Sequence, residues 1–278
     1  MKIISFISII LTFNSIGQTI EQKFTNFELV ANAKNVVEYD LSGITNEQII
    51  DFDTIEKLFI KDETKSRKNF EYSFDKDGFI TEEKQYHTSL NKITQQTFSY
   101  DSSHLLLESS QKDCDINSLK CTDFWKINFK RNQNDLTKIW IDSENKAIFF
   151  IEKYTLDKNI VIEEKDTTTN QPRLKKFYDF KGNMIKTIII SNGEKLVLTN
   201  TYSYYPTGVL KTKISIFTEK NIETIESYFP NGLLKSSENN NEKLLYKYKY
   251  DNNGNWIYKI TYKNNKPSNL LKREIFYF

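Results

Sequence analysis

Aromatic and polar residues alternate in short runs along much of this chain, from residue 70 to the C-terminus. The clearest runs are 70–74, 202–204 and 246–250, in which aromatic side chains occupy every second position. Successive side chains of a β-strand point to opposite faces, so these runs predict strands with one aromatic face and one polar face. Polar, variable connections such as 192–194 and 239–241 separate the runs. The pattern therefore predicts an all-β fold of antiparallel strands.

A short phrase that contains a glycine ends many of these runs. It reads aromatic residue, Asp or another residue, two variable residues, Gly, one residue and an apolar residue. Five of the eight glycines occupy this one position: Gly78, Gly182, Gly208, Gly232 and Gly254. Glycine tolerates positive φ, which indicates a left-handed backbone position. Asp or Pro before it favours a type I turn, and a type I turn followed by a left-handed residue closes a β-hairpin with a bulge.

The phrase recurs often enough to predict a repeat architecture. His104 takes the glycine position in a sixth copy, and decayed copies fit near residues 129–136 and 154–160. The period is then about 22 to 30 residues, as in known repeat proteins. We expect residues 67–278 to form an elongated antiparallel meander of about eight β-hairpin repeats.

Residues 1–17 have the pattern of a secretory signal peptide. Lys2 precedes an apolar run at 3–13, and the small residues Ser15 and Gly17 follow. The run is too short for a permanent transmembrane helix, and no cysteine follows it to carry a lipid anchor. We expect a mature chain with no transmembrane span that is secreted, periplasmic or held at the cell surface.

Residues 18–66 lack the phrase. The run 36–39 has strand character, and Thr45 with Gln48 forms a candidate capping box. We interpret 18–66 as an N-terminal capping segment that hides an open edge of the repeat sheet.

The two cysteines, Cys114 and Cys121, are seven residues apart. Export into an oxidising compartment favours a local disulfide between them, with two free thiols as the alternative. Neither His87 nor His104 has other ligand-type residues beside it, so we expect no metal site.

Composition narrows the partners only a little. The formal charge is +2, and only four of the 39 basic residues are Arg. Proteins that read phosphates or bases favour the Arg fork, so the lysine-rich composition argues against a nucleic-acid partner.

Motifs of known catalytic chemistry are absent from the sequence. It contains no G-x-S-x-G elbow, no phosphate-binding P-loop and no H-E-x-x-H. Adjacent carboxylates such as Glu82 and Glu83 would point to opposite faces of a strand, which makes them a poor acid–base pair. The sequence predicts a non-enzymatic protein without a cofactor.

Aromatic side chains are abundant, with 16 Tyr, 20 Phe and 3 Trp. We interpret the aromatic stripe as a whole as core. Trp125 and Trp140 lie in the less regular middle of the chain and are our candidates for exposed contacts, because exposed rings can stack on sugars or hold a peptide.

The phrase at 250–255 resembles the YD repeat of the Rhs family, and the copies at 204–210 and 228–234 resemble MORN-like variant repeats. The resemblance covers residues 70–278 and implies a β-hairpin repeat fold, but it implies no particular activity. The self-cleaving Asp-Pro-x-Gly motif of large Rhs proteins is absent, so their encapsulating role is not expected. The composition is similar to that of exported proteins of Bacteroidetes-type bacteria.

These observations predict an exported, non-enzymatic repeat protein that binds or scaffolds at the bacterial cell envelope. Its partner would be an unknown protein or a cell-surface glycan. The alternative is a carbohydrate-binding module that uses exposed Tyr and Trp. An enzyme would require a concave pocket with facing polar residues.

Overall fold

The computed structural model describes residues 28–29, 33–41, 52, 67–132, 135–142, 148–155, 161–166, 172–179, 183–191 and 194–278. The predicted signal peptide, Gly182 and most of the 18–66 segment lie outside these residues. Within the described ranges, no helix is long and apolar enough to cross a membrane.

Eighteen strands form most of the described structure. Their bounds are β1 (Ala33–Asp40), β2 (Arg67–Phe74), β3 (Ile80–His87), β4 (Lys92–Tyr100), β5 (Leu106–Asp115), β6 (Cys121–Asn132), β7 (Asp135–Asp142), β8 (Ile148–Thr155), β9 (Val161–Asp166), β10 (Pro172–Tyr178), β11 (Met184–Ser191), β12 (Glu194–Tyr204), β13 (Leu210–Phe217), β14 (Ile222–Tyr228), β15 (Leu234–Asn239), β16 (Lys243–Tyr250), β17 (Trp256–Lys263) and β18 (Lys266–Tyr277). A short 3₁₀ turn at Thr88–Leu90 connects β3 to β4, and another at Thr218–Lys220 connects β13 to β14. The prediction of an all-β fold is confirmed.

The strands form one antiparallel sheet in which sequence neighbours pair from β2 through to β18. β1 lies between β18 and β2, with Val36 opposite both Ile275 and Tyr72. Each of the eighteen strands therefore pairs with two others, and the meander returns to its starting edge. This differs from the elongated, open-ended sheet that the repeat pattern suggests.

The interpretation of residues 18–66 as a cap is also revised, for the part of this segment that the structure describes. Within that segment, Ala33–Asp40 is a full strand of the sheet, bonded on both sides. Both of its neighbours have backbone groups that would otherwise lack a strand partner, and β1 satisfies them. Joining the two ends protects both edges at once, whereas a cap would protect one.

The register defines a continuous inner face of the sheet. A cross-strand row runs from Val36 through Tyr72, Glu83 and Gln96, and continues through Gln111 to reach Trp125 on β6. The largest apolar cluster lies on this inner face, and its buried members are Leu29, Ala33, Val36, Tyr72, Phe74, Ile80, Phe98, Leu106, Trp125, Ile127 and Phe129. The core of the molecule is thus concentrated inside β1 to β6.

A smaller apolar cluster lies on the opposite, outer face. Tyr258 and Ile260 of β17 pack with Leu270 of β18 and with Leu41 beyond the end of β1. Partly buried Phe52 also packs against this cluster. Leu41 and Phe52, the two described residues that follow β1, therefore pack on the outer face of the last two strands.

The recurring phrase forms the turns between strands. At the first turn, the Asp75 carboxylate accepts hydrogen bonds from the backbone N–H groups of Asp77 and Phe79, at 3.0 and 2.9 Å. The Gly78 N–H donates to the carbonyl of Asp75 at 3.1 Å, and Gly78 has a φ of 83°. The equivalent glycines that the structure describes also have positive φ: Gly208, Gly232 and Gly254.

Tyrosine hydroxyl groups connect one hairpin to the next. Tyr100 donates to the carbonyl of Ile80 at 2.8 Å, and Ile80 lies two residues after the glycine of the preceding turn. Tyr248 makes the same bond to Leu234, also at 2.8 Å. These bonds bridge units that are already paired by backbone ladders, and they fix the turn end of each hairpin.

The predicted disulfide is confirmed. Cys114 and Cys121 are bonded, and they are paired residues at the connection between β5 and β6. The bond closes a short polar loop beyond these two strand ends.

Candidate functional site

Of the two tryptophans that we predicted as exposed contacts, Trp125 is a core residue and Trp140 is partly buried against the core. Trp125 is 8% exposed, and its ring centroid lies 5.0 Å from that of Trp140, which packs against the same inner cluster. The prediction was wrong because the stretch without the glycine phrase is still regular strand. Trp125 alternates inward together with Ile127 and Phe129 on β6.

The histidines occupy peripheral positions. His104 has a φ of 61° at the turn position that glycine takes elsewhere, and its Nε2 lies 3.6 Å from the Asp77 carboxylate. His87 Nε2 lies 3.3 Å from the hydroxyl of Thr94. In the described part of the chain, no three His, Cys, Asp or Glu side chains cluster in a way that could hold a metal ion.

A set of half-buried tyrosines lines the inner face in the second part of the sheet. Tyr202 on β12 lies opposite Lys213, which lies opposite Glu226 on β14. The row continues through Ser237 to Leu244 on β16. We call this surface the inner tyrosine face, and its tyrosines are Tyr202, Tyr228, Tyr246 and Tyr248.

This surface belongs to the same inner face as the core. Tyr248 lies opposite Lys259 on β17, and Lys259 lies opposite Leu271 on β18. Two residues further along β18, Arg273 lies opposite Glu38 of β1. The inner tyrosine face and the apolar cluster are therefore two regions of one lining.

The tyrosines keep their protons well above neutral pH. Burial, with added repulsion from Tyr204 and the Asp179 and Glu226 carboxylates, raises the pKa of Tyr202 to about 12. Burial and nearby carboxylates also raise the pKa of Tyr228, Tyr246 and Tyr248. All four side chains therefore present neutral hydroxyl groups that can donate or accept hydrogen bonds.

An ion pair lies among these hydroxyl groups. Lys213 Nζ is 2.9 Å from Glu226 Oε2, and the Tyr228 hydroxyl donates to the same oxygen at 3.2 Å. Tyr202 and Tyr248 donate to backbone carbonyls of neighbouring hairpins. Among the described residues, the Tyr246 hydroxyl makes no hydrogen bond.

A rigid wall of charged and aromatic groups bounds the surface at β17 and β18. Trp256 is 1% exposed, and the Arg273 guanidinium lies 3.6 Å from the centroid of its ring. Arg273 pairs with Glu38 at 3.2 Å, and the Trp256 Nε1–H donates to Glu28 at 2.8 Å. Each group in this wall is fixed by a second one, so the wall is held in position.

Lys259 lies between this wall and the tyrosines. Its ammonium nitrogen is 5.5 Å from the ring centroids of both Tyr246 and Trp256, and 5.9 Å from that of Tyr248. These distances are within the range of cation–π attraction. Three aromatic rings thus hold one half-buried positive charge at the edge of the inner tyrosine face.

Glu83 is a polar residue on the other region of the inner face, where the apolar cluster of β1 to β6 is packed. It lies between Tyr72 and Gln96 on the inner face. Within the described part of the chain, its Oε2 is shielded from solvent and accepts no hydrogen bond. Burial raises the pKa of Glu83 to about 7.

Sequence reasoning missed the inner tyrosine face as a site. The alternation at 246–250 marked the strand, but we assigned the aromatic stripe as a whole to the core. The available signal is that charged residues, Lys213, Glu226 and Lys259, share the face with tyrosines. This signal becomes visible only when the cross-strand register is known.

Comparisons with known proteins give little further information. No family model matches the chain, and no curated protein matches it. Among solved structures, a porin-like protein from Bacteroides uniformis is similar over 89% of this chain and 99% of its own, with 8% identity and a TM-score of 0.42. A domain named as an outer membrane lipoprotein-sorting protein, from Vibrio parahaemolyticus, is similar over 74% of this chain and 85% of its own, with 10% identity and a TM-score of 0.17. At these identities and scores, neither likeness assigns a function to this chain.

Proposed function

We propose that this chain is an exported, non-enzymatic binding protein of the bacterial cell envelope, and that the inner tyrosine face is its ligand-binding surface. The observation that carries the proposal is the half-burial of four neutral tyrosines around the Lys213–Glu226 pair. Such a surface combines apolar ring area with hydroxyl and charged groups, as ligand sites commonly do.

A carbohydrate is the ligand class that this chemistry favours. Sugar rings present apolar faces that stack on aromatic rings and hydroxyl groups that need both donors and acceptors. Tyr246 offers an unused hydroxyl among the described residues, and Glu226 offers carboxylate oxygens. The carbohydrate alternative thus relies on these tyrosines, because Trp125 and Trp140 are packed in the core.

A glycan array probed with the purified mature protein tests this proposal. We expect binding that weakens several-fold in Tyr246→Phe, because that substitution removes one hydroxyl and keeps the ring. Tyr262→Phe is the matched control, since Tyr262 belongs to the same hairpin but packs against the outer cluster. An array without binding would exclude the carbohydrate ligand, and equal losses in both variants would exclude the inner tyrosine face.

Export is a separate part of the proposal, supported by the sequence pattern at 1–17. N-terminal sequencing of protein recovered from the envelope fraction should give a chain that begins at Gln18. A chain that retains Met1 would contradict cleavage of a signal peptide.

We also propose that the hairpins are about eight diverged copies of one YD-like unit. The support is a shared bonding pattern. Asp75, Asp101 and Asp251 each accept two backbone N–H bonds within their own turn, at comparable distances. A profile built from homologous chains would contradict this proposal if the hairpins did not align with one another.

A further inference from the structure

Cations on the inner face differ in whether a carboxylate neutralises them. Lys213 pairs with Glu226 at 2.9 Å, and Arg273 pairs with Glu38 at 3.2 Å. Lys259 makes cation–π contacts, but within the described residues it has no carboxylate within ion-pair distance. It is half-buried, so part of its hydration shell is also missing.

We propose that Lys259 binds an anionic group of the ligand, and that the ligand is an acidic saccharide whose carboxylate pairs with this ammonium. This inference rests on the proposed function, in which the inner tyrosine face binds a carbohydrate. It adds the charge of the ligand and the residue that recognises it.

The geometry around Lys259 favours such a partner. An ammonium has three N–H donors, and ring faces attract its charge without providing lone-pair acceptors of the usual kind. The rings of Tyr246, Tyr248 and Trp256 hold the ammonium in place, so a ligand would meet a charge that is already positioned. Less side-chain entropy is then lost on binding.

Carboxylates of the protein near this surface are engaged elsewhere. Glu28 accepts the hydrogen bond of Trp256 Nε1 at 2.8 Å, and its charge raises the pKa of Tyr248. Glu226 accepts from Lys213 and Tyr228. Neither is within ion-pair distance of Lys259, so an incoming carboxylate would not have to displace an internal one.

The neighbouring hydroxyl completes the recognition. Lys259 lies over the Tyr246 ring, and the Tyr246 hydroxyl has no hydrogen-bond partner among the described residues. A neutral phenol donates readily to a carboxylate, and burial raises the pKa of Tyr246 further above neutral pH. One anionic group therefore has a charged donor and a neutral donor available on adjacent strands.

Titration calorimetry with a matched pair of probes tests the inference. The probes are a galacturonate oligosaccharide and the same oligosaccharide with its carboxylates methyl-esterified. We expect the acidic probe to bind about tenfold more tightly than the ester, since a charge-assisted hydrogen bond contributes this much. Lys259→Met should abolish the preference, and Lys259→Arg should preserve most of it.

Lys247→Met is the control. Lys247 lies 4.9 Å from the ring of Tyr262 on the outer face of the neighbouring strand β16, so it has a similar aromatic contact without access to the site. We expect it to bind both probes as the unaltered protein does. Thermal midpoints of all variants would show whether a loss of binding reflects unfolding.

Two results would overturn the inference, and they are distinguishable. If both probes bind equally and Lys259→Met changes neither, the carbohydrate site stands but the anionic ligand does not. If neither probe binds, the inference of an acidic saccharide is overturned, and the glycan array then decides whether the proposed carbohydrate function stands. The ¹³C signals of reductively methylated lysines give a second measure, because the Lys259 signal should shift more with the acidic probe than with its methyl ester.

Discussion

Two regions of the same inner face differ in how completely their side chains are buried. Inside β1 to β6, side chains such as Phe74, Phe98 and Phe129 are buried and pack into one cluster. Inside β12 to β17, tyrosines occupy equivalent alternating positions but remain half-buried, together with Lys213 and Glu226. The backbone pairing is antiparallel in both regions.

The two regions share one backbone framework and differ in the side chains that line it. Antiparallel backbone pairing, glycine-type turns and tyrosine hydroxyl hydrogen bonds between hairpins occur in both regions. These shared features therefore account for the shape of the sheet. The side chains that face inward differ, and these decide whether the lining is a packed core or a half-buried polar surface. Burying a hydroxyl or a charge without a hydrogen bond costs free energy, and the polar groups of the second region remain half-buried.

The largest difference is expected on removing one aromatic side chain from each region. Trp125→Ala should lower the free energy of unfolding by about 3 to 5 kcal/mol, because the lost ring leaves a cavity in packed core. Tyr246→Ala should lower it by about 1 kcal/mol, because solvent already reaches the half-buried ring. Urea denaturation monitored by fluorescence and circular dichroism measures both.

Each variant also controls for the other. Loss of glycan binding with retained stability is expected for Tyr246→Ala only. Equal destabilisation by the two substitutions would mean that the second region is packed as tightly as the first, and would end the distinction between them.

The next effect concerns Glu83, a half-buried carboxyl of the packed region whose Oε2 is shielded from solvent. Its pKa of about 7 lies above the 4.5 of an unburied Glu, because burial disfavours the charged form. The folded state therefore holds this proton where the unfolded chain has already lost it. Stability falls as the pH rises from about 4.5 to above 7, and the cost is complete above that window.

Glu83→Gln removes this titration while preserving a polar side chain. We expect a gain of about 3 kcal/mol at roughly pH 8, and almost none at about pH 4, where Glu83 is protonated in both states. Thermal denaturation at the two pH values measures the difference. A gain independent of pH would show that packing, and not charge, sets the cost of Glu83.

Local features of the fold were predictable from the sequence, whereas its closure was not. Strand alternation and the turn phrase depend on neighbours in the sequence, so runs such as 70–74 marked strands correctly. Closure depends on β1 pairing with β18, where Glu38 meets Arg273 across 235 positions. No short-range pattern encodes that contact, and the strand-like run at 36–39 gave no sign of two partners.

The candidate site was harder to predict for a related reason. Tyr246 and Trp125 both follow an alternating pattern, and the sequence alone does not show which of them is packed. Burial depends on what lies opposite each side chain inside the closed sheet. Trp125 meets Trp140, whereas Tyr246 lies beside the charged Lys259.

The smallest effects should be equal in the two regions. Tyr100 in the first and Tyr248 in the second each donate a hydroxyl hydrogen bond of 2.8 Å to a carbonyl of the preceding hairpin. Tyr100→Phe and Tyr248→Phe should each cost about 1 kcal/mol, the usual net value of one such bond. Tyr246→Phe should cost close to nothing, since that hydroxyl has no partner within the described chain.

These three variants test whether the hydrogen bonds between hairpins contribute equally to stability in the two regions, whatever side chains line the inner face. If Tyr100 and Tyr248 serve the same framework, their losses agree, although one lies in the packed region and the other in the open one. A marked loss of unfolding free energy in Tyr248→Phe alone would mean that the second region depends more on this hydroxyl hydrogen bond, because it has less packing to stabilise it. A loss for Tyr246 of the same size would mean that its hydroxyl is part of the framework, and it would remove Tyr246 from the proposed ligand site.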